Sequence, residues 1–498
     1  MKKILIGLCI ALIGLFGFGL KANALAQGIE IDLSNLNLTE YSYDEFISAY
    51  NSGMLPSVYV TNFLYDGVAA VTSPDLDDFI ENGSNDTKIK TLEIKVINIV
   101  KAGTYVFSGE ITGAMIAVNT NNVSGDIYIV LDNASIDTDS KKAPAIYVYN
   151  KDKNYTDCKV TIRTLAGTKN YLEGGKLKKV SLLGSDQLSS YANNYSGDNL
   201  TNYNTYTNYY GIYTTEQIKN ILFATVTADS EDLQDGDPLY FYKASGAVSS
   251  DIDLYFNGEG FLSITSKNKE GVETKGNLTF DGGTGDYEIY AEDDCLNTTT
   301  ASNGSETVRN DLTINVASLL AKVSTDADEG DAIDSNGKLI INGGKIWAFA
   351  HPTSPDAGLD SVNGTYINGG TVIATGNMVD AISSDSKQKF FYASLNTQIA
   401  EGATVEIKDA DDNTLYSFNT DRTFKTLLYS SADLDSDSLK IYANNTEVSY
   451  GNASAGMMRG DVKQKTDISG TLFVVWMIEI VALLAFLGIV AVTKRAKK

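Results

Sequence analysis

The sequence predicts an all-β protein, a parallel β-solenoid that carries one transmembrane helix near its C-terminal end. Three observations support this prediction: an acidic phrase that recurs along the chain, a turn-rich composition, and a long apolar segment close to the C-terminus. The chain has 498 residues with 43 glycines and only 6 prolines, and it is rich in Asn, Asp, Thr and Tyr. This composition is typical of short strands joined by tight turns.

Residues 1–26 have the order of a secretory signal peptide. Lys2 and Lys3 give a positive start, residues 4–20 form an apolar run, and small residues allow cleavage after Ala24 or Ala26. We therefore expect an exported protein.

Residues 471–492 form the second apolar segment, which is long enough to cross about 30 Å of hydrocarbon as a helix. Glu479 opposes insertion by about 3 kcal/mol, but the many Leu, Ile, Val and Phe residues outweigh it. The basic residues of 493–498 follow at once and predict a cytoplasmic tail. Together the two ends predict a single-pass membrane protein at the cell surface, with an extracellular N-terminal ectodomain.

The composition narrows the classes of partner. The chain has 39 basic and 63 acidic residues and a net charge of −24, so a nucleic acid is a poor partner and metal cations are better candidates. After removal of the signal peptide, Cys158 and Cys295 are the remaining cysteines, so disulfides do not build the fold. Either one bridge or two buried thiols is compatible with the sequence. His351 is the single histidine, which argues against histidine metal sites and catalytic triads.

The acidic phrase is the strongest signal for the fold. Its copies are roughly 25 residues apart, with one longer interval, as expected for stacked solenoid coils. Each copy has one central apolar residue, and these are Val272, Leu296, Ile333, Leu359 and Ile382. Asx-Gly-Gly elements follow several copies and are interpreted as turns, namely Asp281-Gly-Gly283, Asn342-Gly-Gly344 and Asn368-Gly-Gly370.

Alternating strands extend the pattern upstream, and residues 43–50 predict a short helix. The predicted organisation is a signal peptide at 1–26, an N-terminal cap at 27–88, a parallel β-helix at 89–400 with a Tyr/Asn-rich insertion at 180–237, a C-terminal β segment at 401–450, a juxtamembrane linker at 451–470, a transmembrane helix at 471–492 and a tail at 493–498.

The ordered phrases resemble a bacterial family of extracellular carbohydrate-binding proteins. The matching segments are Gly103 to Gly109, Glu292-Asp-Asp-Cys-Leu-Asn297, Gly330 to Ser335, Gly358-Leu-Asp360, Ile367 to Thr371 and Ile382 to Lys387. The resemblance implies a right-handed single-stranded parallel β-helix, pectate-lyase-like in shape, with a C-terminal β segment. It also implies bound calcium and affinity for polygalacturonate, the acidic polysaccharide of pectin. The insertion, and Cys295 and Ser383 within the phrases, depart from the family pattern.

The acidic phrase predicts a calcium site. Stacked coils would place one column of Glu270, Asp294, Asp331 and Asp380 beside a second of Glu273, Asn297, Asp334 and Asp360, with Asp293 next to Asp294. Two carboxylates about 4.8 Å apart repel by roughly 3–4 kcal/mol at an effective dielectric constant near 20. An ion bound by oxygen ligands would relieve this repulsion, and Ca²⁺ prefers such ligands. The alternative is that these acids are solvated at turns.

These features predict a calcium-dependent carbohydrate-binding protein that adheres to an acidic polysaccharide. Binding of a neutral glycan through the tyrosines is a variant, and a non-catalytic adhesin or stalk for a protein partner is the alternative. Lyase activity would require an arginine or lysine base beside the calcium. The basic candidates are scarce, namely Arg163, Arg309, Arg422, Arg459 and Lys345, so we expect no enzyme activity.

Overall fold

A computed structural model describes residues 28–62, 94–139, 143–150, 158–175, 244–303, 306–378, 380–435 and 439–451. The predicted signal peptide, insertion, transmembrane helix and tail lie outside these residues. Among the described residues, no helix has both the length and the apolarity needed to cross a membrane.

The N-terminal region contains a short helix and a series of strands. A 3-10 turn spans Leu33–Asn35, and the predicted helix is present as α1, Tyr43–Asn51, with Ser42 and Glu45 forming its capping box. The strands of this region are β1 Ile29–Asp32, β2 Val58–Thr61, β3 Lys95–Ile99, β4 Gly103–Thr112, β5 Ala114–Asn119, β6 Ile127–Asp137, β7 Ile146–Tyr149, β8 Val160–Thr164 and β9 Lys169–Gly174.

The middle region carries the repeated phrases on short strands that alternate with longer ones. Its strands are β10 Val248–Ser250, β11 Leu254–Gly258, β12 Phe261–Ser266, β13 Val272–Thr274, β14 Leu278–Phe280, β15 Asp286–Ala291, β16 Leu296–Thr298, β17 Thr300–Asn303, β18 Glu306–Arg309, β19 Leu312–Val323, β20 Ile333–Ser335, β21 Leu339–Phe349, β22 Leu359–Ser361, β23 Thr365–Ile367 and β24 Thr371–Gly376.

The C-terminal region is antiparallel. Its strands are β25 Phe390–Ile399, β26 Thr404–Lys408, β27 Thr414–Asn419, β28 Phe424–Ser430, β29 Lys440–Ala443, β30 Thr446–Val448 and β31 Tyr450–Gly451.

A nine-stranded sheet contains the repeated phrases. Its order is β2-β3-β5-β7-β10-β13-β16-β20-β22, and every pair after β2–β3 is parallel. The first residues of its last five strands pair in one register and are all buried, and they are Val248, Val272, Leu296, Ile333 and Leu359. The phrases therefore lie side by side, as their spacing predicts.

The larger, sixteen-stranded sheet overturns the predicted fold class. Eight of its strands pair in a closed ring, β6-β8-β11-β14-β19-β15-β12-β9, and all eight pairs are parallel. The predicted right-handed single-stranded parallel β-helix is thus wrong, because the sheet closes into an eight-stranded parallel barrel.

The ring closes because β6 and β19 are long strands whose two halves have different neighbours. The first half of β6 pairs with β8 and its end pairs with β9, while β19 pairs first with β14 and then with β15. Inside, Phe256 and Phe280 stack with ring centroids 4.6 Å apart, and Tyr287 packs edge-on against Phe280.

The structure also tests the predictions for the Asx-Gly-Gly elements and for the two cysteines. Asn342-Gly343-Gly344 is not a turn between strands, because it lies within β21 at a register shift against β19. Asp281-Gly282-Gly283 and the Asn368-Gly369-Gly370 segment do separate strands, as predicted. Cys158 and Cys295 are both buried and are not joined in a disulfide.

The C-terminal strands pack onto the outer face of β21 and β24, where buried Ile373 contacts a second hydrophobic cluster. Arg422 fastens this contact because its buried guanidinium donates to the carbonyl oxygens of Val323 and Ala350, at 2.8 and 2.9 Å. A charged donor that binds carbonyls of β19 and of the residue after β21 ties the C-terminal segment to the barrel.

Candidate functional site

The site lies on the outer face of the nine-stranded sheet, over β13, β16, β20 and β22. Each of these strands has three residues, and since side chains alternate across a strand, the middle residue points away from the core. The register pairs Glu273 with Asn297, Asn297 with Asp334, and Asp334 with Asp360. The second predicted column is therefore present, with neighbouring strands about 4.8 Å apart.

The first predicted column is present in part, just before the same strands. The backbone amides of Gly271 and Cys295 donate to the carbonyls of Asp294 and Asp331, so residues 270, 294 and 331 lie in successive layers. Asp380 does not join them. Its carboxylate accepts from the Ser361 amide at 2.9 Å, which places it beside Asp360.

The first column also has a structural task. Asp294 Oδ1 accepts from the Asp331 amide at 2.8 Å, and Asp331 Oδ1 accepts from the Ala357 amide at 2.5 Å. Each carboxylate thus holds the strand entry of the next layer. The second oxygen of Asp294 accepts from Asn297 Nδ2 at 2.6 Å and joins the two columns.

The nine predicted ligands lie along four neighbouring strands, with about 14 Å between the first layer and the last, and we call this set the acid cluster. Its members are Glu270, Glu273, Asp293, Asp294, Asn297, Asp331, Asp334, Asp360 and Asp380.

Burial and mutual repulsion raise the pKa values of the acid cluster. Burial, followed by the charge of Asp294, raises the pKa of Asp331 to about 9. Burial, followed by the charges of Asp294 and Asp360, raises the pKa of Asp334 to about 8. The pKa of Asp294 rises to about 7, again through burial and then the charge of Asp293. These carboxylates lack enough nearby positive charge to offset their repulsion.

The two ends of the cluster show the same effect. Burial, and then the charges of Glu273 and Asp293, raises the pKa of Glu270. Burial and the neighbouring Asp360 raise the pKa of Asp380.

The comparison with protein families gives the broad function. The model of the family described as carbohydrate-binding domain-containing protein matches residues 93–202 and 209–421, more than half of the chain and all of the acid cluster. The chain belongs to this family of carbohydrate-binding proteins. No curated protein and no solved structure gives a match.

The acid cluster of this carbohydrate-binding protein contains two polar atoms that lack a hydrogen-bond partner within the described part of the chain. Glu270 Oε2 and Asn297 Oδ1 are buried and form no hydrogen bond with any residue that the structure describes. A buried acceptor of this kind costs free energy unless a donor or a cation reaches it. Carboxylate and amide oxygens are the ligands that Ca²⁺ takes, so the donor chemistry fits that ion.

The positions of the acidic side chains favour a calcium ion less than their chemistry does. Within the described ranges, no group of three or more His, Cys, Asp or Glu side chains is placed so that it could hold a metal ion. Any ion would therefore be bound by at most two acidic side chains, and amide oxygens, carbonyl oxygens or water would complete its coordination.

Two residues that neighbour the acid cluster were not predicted from the sequence. Asp356 accepts from the Gly330 amide at 2.7 Å and adds to the charge around Asp294. Its position directly before the Ala357-Gly-Leu-Asp360 phrase was the available signal. Lys269 Nζ lies 2.6 Å from Asp293 and offsets one charge of the cluster, although nothing in its sequence position marks it.

Proposed function

We propose that this carbohydrate-binding protein is displayed at the cell surface and binds an acidic polysaccharide of the polygalacturonate type through calcium at the acid cluster. The proposal depends on one observation: mutually repelling carboxylates lie beside two buried acceptors, Glu270 Oε2 and Asn297 Oδ1, that have no hydrogen-bond partner among the described residues. The strongly acidic chain would by itself repel a polyuronate, so a cation shared by both is the simplest bridge.

The residues of the chain have separate tasks in this proposal. Glu270, Asn297 and Asp334 would hold the ion, while Asp294 and Asp331 fix the spacing of the layers through their bonds to backbone amides. Bound calcium would supply the positive charge to which a uronate carboxylate coordinates.

We further propose that the protein binds without cleaving. Arg422 donates its buried guanidinium to backbone carbonyls, which leaves it unsuited to act as a base. Lys345 is on the outer face of the larger sheet, on β21, and Arg309 is on the β18 strand of a hairpin. These positions favour a binding role.

Binding of the purified full-length chain to immobilised polygalacturonate tests the proposal. We expect retention in calcium and loss of retention in EGTA. Asp334→Asn should weaken retention in calcium by about tenfold, because it removes one charged ligand while keeping the size of the side chain. Asp385→Asn, at an exposed residue outside the cluster, is the matched control. Equal retention with and without EGTA would contradict the role of calcium, and release of unsaturated oligosaccharides would contradict the absence of catalysis.

A further inference from the structure

A row of side chains crosses the outer face of the larger sheet, away from the acid cluster. The parallel register aligns Tyr171 on β9, Ser263 on β12, Glu288 on β15, Leu320 on β19 and Trp347 on β21. Their strand neighbours Leu172, Ile264, Ile289, Leu319 and Ile346 are buried in the core, so the row itself points outward. We call these five residues the Tyr171–Trp347 row.

The row has an aromatic residue at each end, with Ser263, Glu288 and Leu320 between them. Tyr171 is 43% exposed, and its ring lies edge-on to Phe261 with centroids 6.0 Å apart. Trp347 is half-buried, and its indole Nε1 donates to the hydroxyl of Tyr416 at 2.7 Å. Four strand spacings separate the two aromatic residues, which is about 19 Å.

One end of the row is closed by a wall. The next residue in register after Trp347 is Ile373, which is fully buried under the C-terminal strands. Tyr416 on β27 belongs to these strands and stands beside Trp347. In the other direction the register continues past Tyr171 onto β6 and β4. The free face, which we call the shelf, is therefore closed at the Trp347 end and continues beyond β9.

The carboxylate at the centre of the shelf favours a ligand that donates hydrogen bonds. Glu288 lies at the centre and accepts from Tyr290 at 3.0 Å, which leaves further acceptor capacity on its carboxylate. Lys322 is close by and its amine is paired with Asp421 at 2.5 Å. Lys169 and Lys345 are exposed on the same face, two residues from the aromatic ends of the row. A sugar hydroxyl can donate to Glu288, whereas a uronate carboxylate at the same place would be repelled.

We propose that the Tyr171–Trp347 row is a second glycan-binding site, which binds a neutral polysaccharide chain lying across the strands without calcium. The apolar face of a sugar ring would pack on the exposed part of Tyr171 and on the uncovered part of Trp347, and Ser263 and Glu288 would bind hydroxyls between them. The proposal rests on membership of the carbohydrate-binding family but not on the calcium site, which lies on the other sheet.

Titration of the full-length chain with neutral hexasaccharides in EGTA tests this site, with cellohexaose, xylohexaose and mannohexaose as probes. The chain has two tryptophans, so a Trp476→Phe background makes the emission of Trp347 a direct readout. We expect at least one probe to bind and to shift this emission.

The variants then locate the binding. Tyr171→Ala should weaken it by about tenfold, and Tyr171→Phe should retain it because the ring remains. Tyr366→Ala is the matched control, since Tyr366 is a half-buried tyrosine on β23 beside Lys338. Calcium-dependent retention on polygalacturonate should be unchanged in Tyr171→Ala, so the two sites can fail separately.

Three outcomes would overturn the proposal. They are binding of none of the probes, an equal loss of binding in Tyr366→Ala, and tighter binding of hexagalacturonate than of the neutral probes in EGTA.

Discussion

Asp331 combines a structural and an electrostatic role in one side chain. Its Oδ1 accepts from the Ala357 amide at 2.5 Å, and its pKa is raised to about 9 by burial and by Asp294. The first effect stabilises the contact between two layers. The second effect disfavours the ionised carboxylate unless a cation is near.

Two substitutions separate these roles. Asp331→Ala should lower the free energy of unfolding by about 1–3 kcal/mol, because the Ala357 amide loses its acceptor. Asp331→Asn keeps an acceptor and removes the charge, so in EGTA at pH 9 it should be at least as stable as the original protein. Urea denaturation measures both, with Asp385→Ala as a surface control. An asparagine variant as unstable as the alanine variant would contradict the structural role of the oxygen.

Part of the acid cluster was predictable residue by residue. Glu273, Asn297, Asp334 and Asp360 occupy the same place in phrases of similar sequence, and the register of parallel strands preserves that order. Asp380 is not in the predicted column. The strand pairing ends before it, because Ile382 forms its bridge with Thr365 and not with a residue of β22. The spacing of a phrase indicates which residues share a layer only while the strand pairing continues.

At the level of elements, β21 shows how a glycine pair can continue a strand. Gly344 has a φ of +107°, and a Cβ placed there would lie 2.5 Å from the carbonyl oxygen of Val316 on β19. A turn and a bulge both use glycine at positive φ, so the sequence Asn342-Gly343-Gly344 fits either. The sequence also did not predict the ring, because the ring depends on long strands that change partners midway.

The glycine of this bulge can be tested against a glycine in open space. Gly402 also has positive φ, +80°, but a Cβ there would meet nothing within 4 Å. Gly402→Ala should cost about 1 kcal/mol from backbone strain alone. Gly344→Ala should cost about 2 kcal/mol more, because β19 must also move. Equal losses in urea denaturation would show that β21 is not closely packed against Val316.

Across the whole molecule, the outer face of the nine-stranded sheet changes character along its length. Near its beginning the outward positions are buried and apolar, as at Val96, Met115 and Ala117. Towards its end they are acidic, as at Asp334 and Asp360. Negative charge is thereby concentrated at one end of the sheet.

This concentration makes stability depend on pH. In EGTA the folded protein binds more protons than the unfolded chain, because Asp294, Asp334 and Asp331 have pKa values of about 7, 8 and 9 in place of the ordinary 3.8. Their contribution is fully present below about pH 4, decreases as pH rises above this value, and is gone once pH has passed the folded-state pKa values of about 7 to 9. The melting temperature in EGTA should therefore fall between pH 5 and pH 9, and calcium should reduce the fall. A melting temperature that rises with pH over this range in EGTA would contradict the prediction.

The small hairpin of β17 and β18 has a consequence for how such a chain can change length. Its strands pair with each other in a two-stranded sheet of their own, and Asn310 closes its base by donating to the carbonyls of Thr299 and Lys275. β16 and β20 nevertheless stay in register across this excursion. Extra residues can therefore be added or deleted at such a loop during evolution, or replaced by an engineered peptide, while the layers on either side keep their alignment.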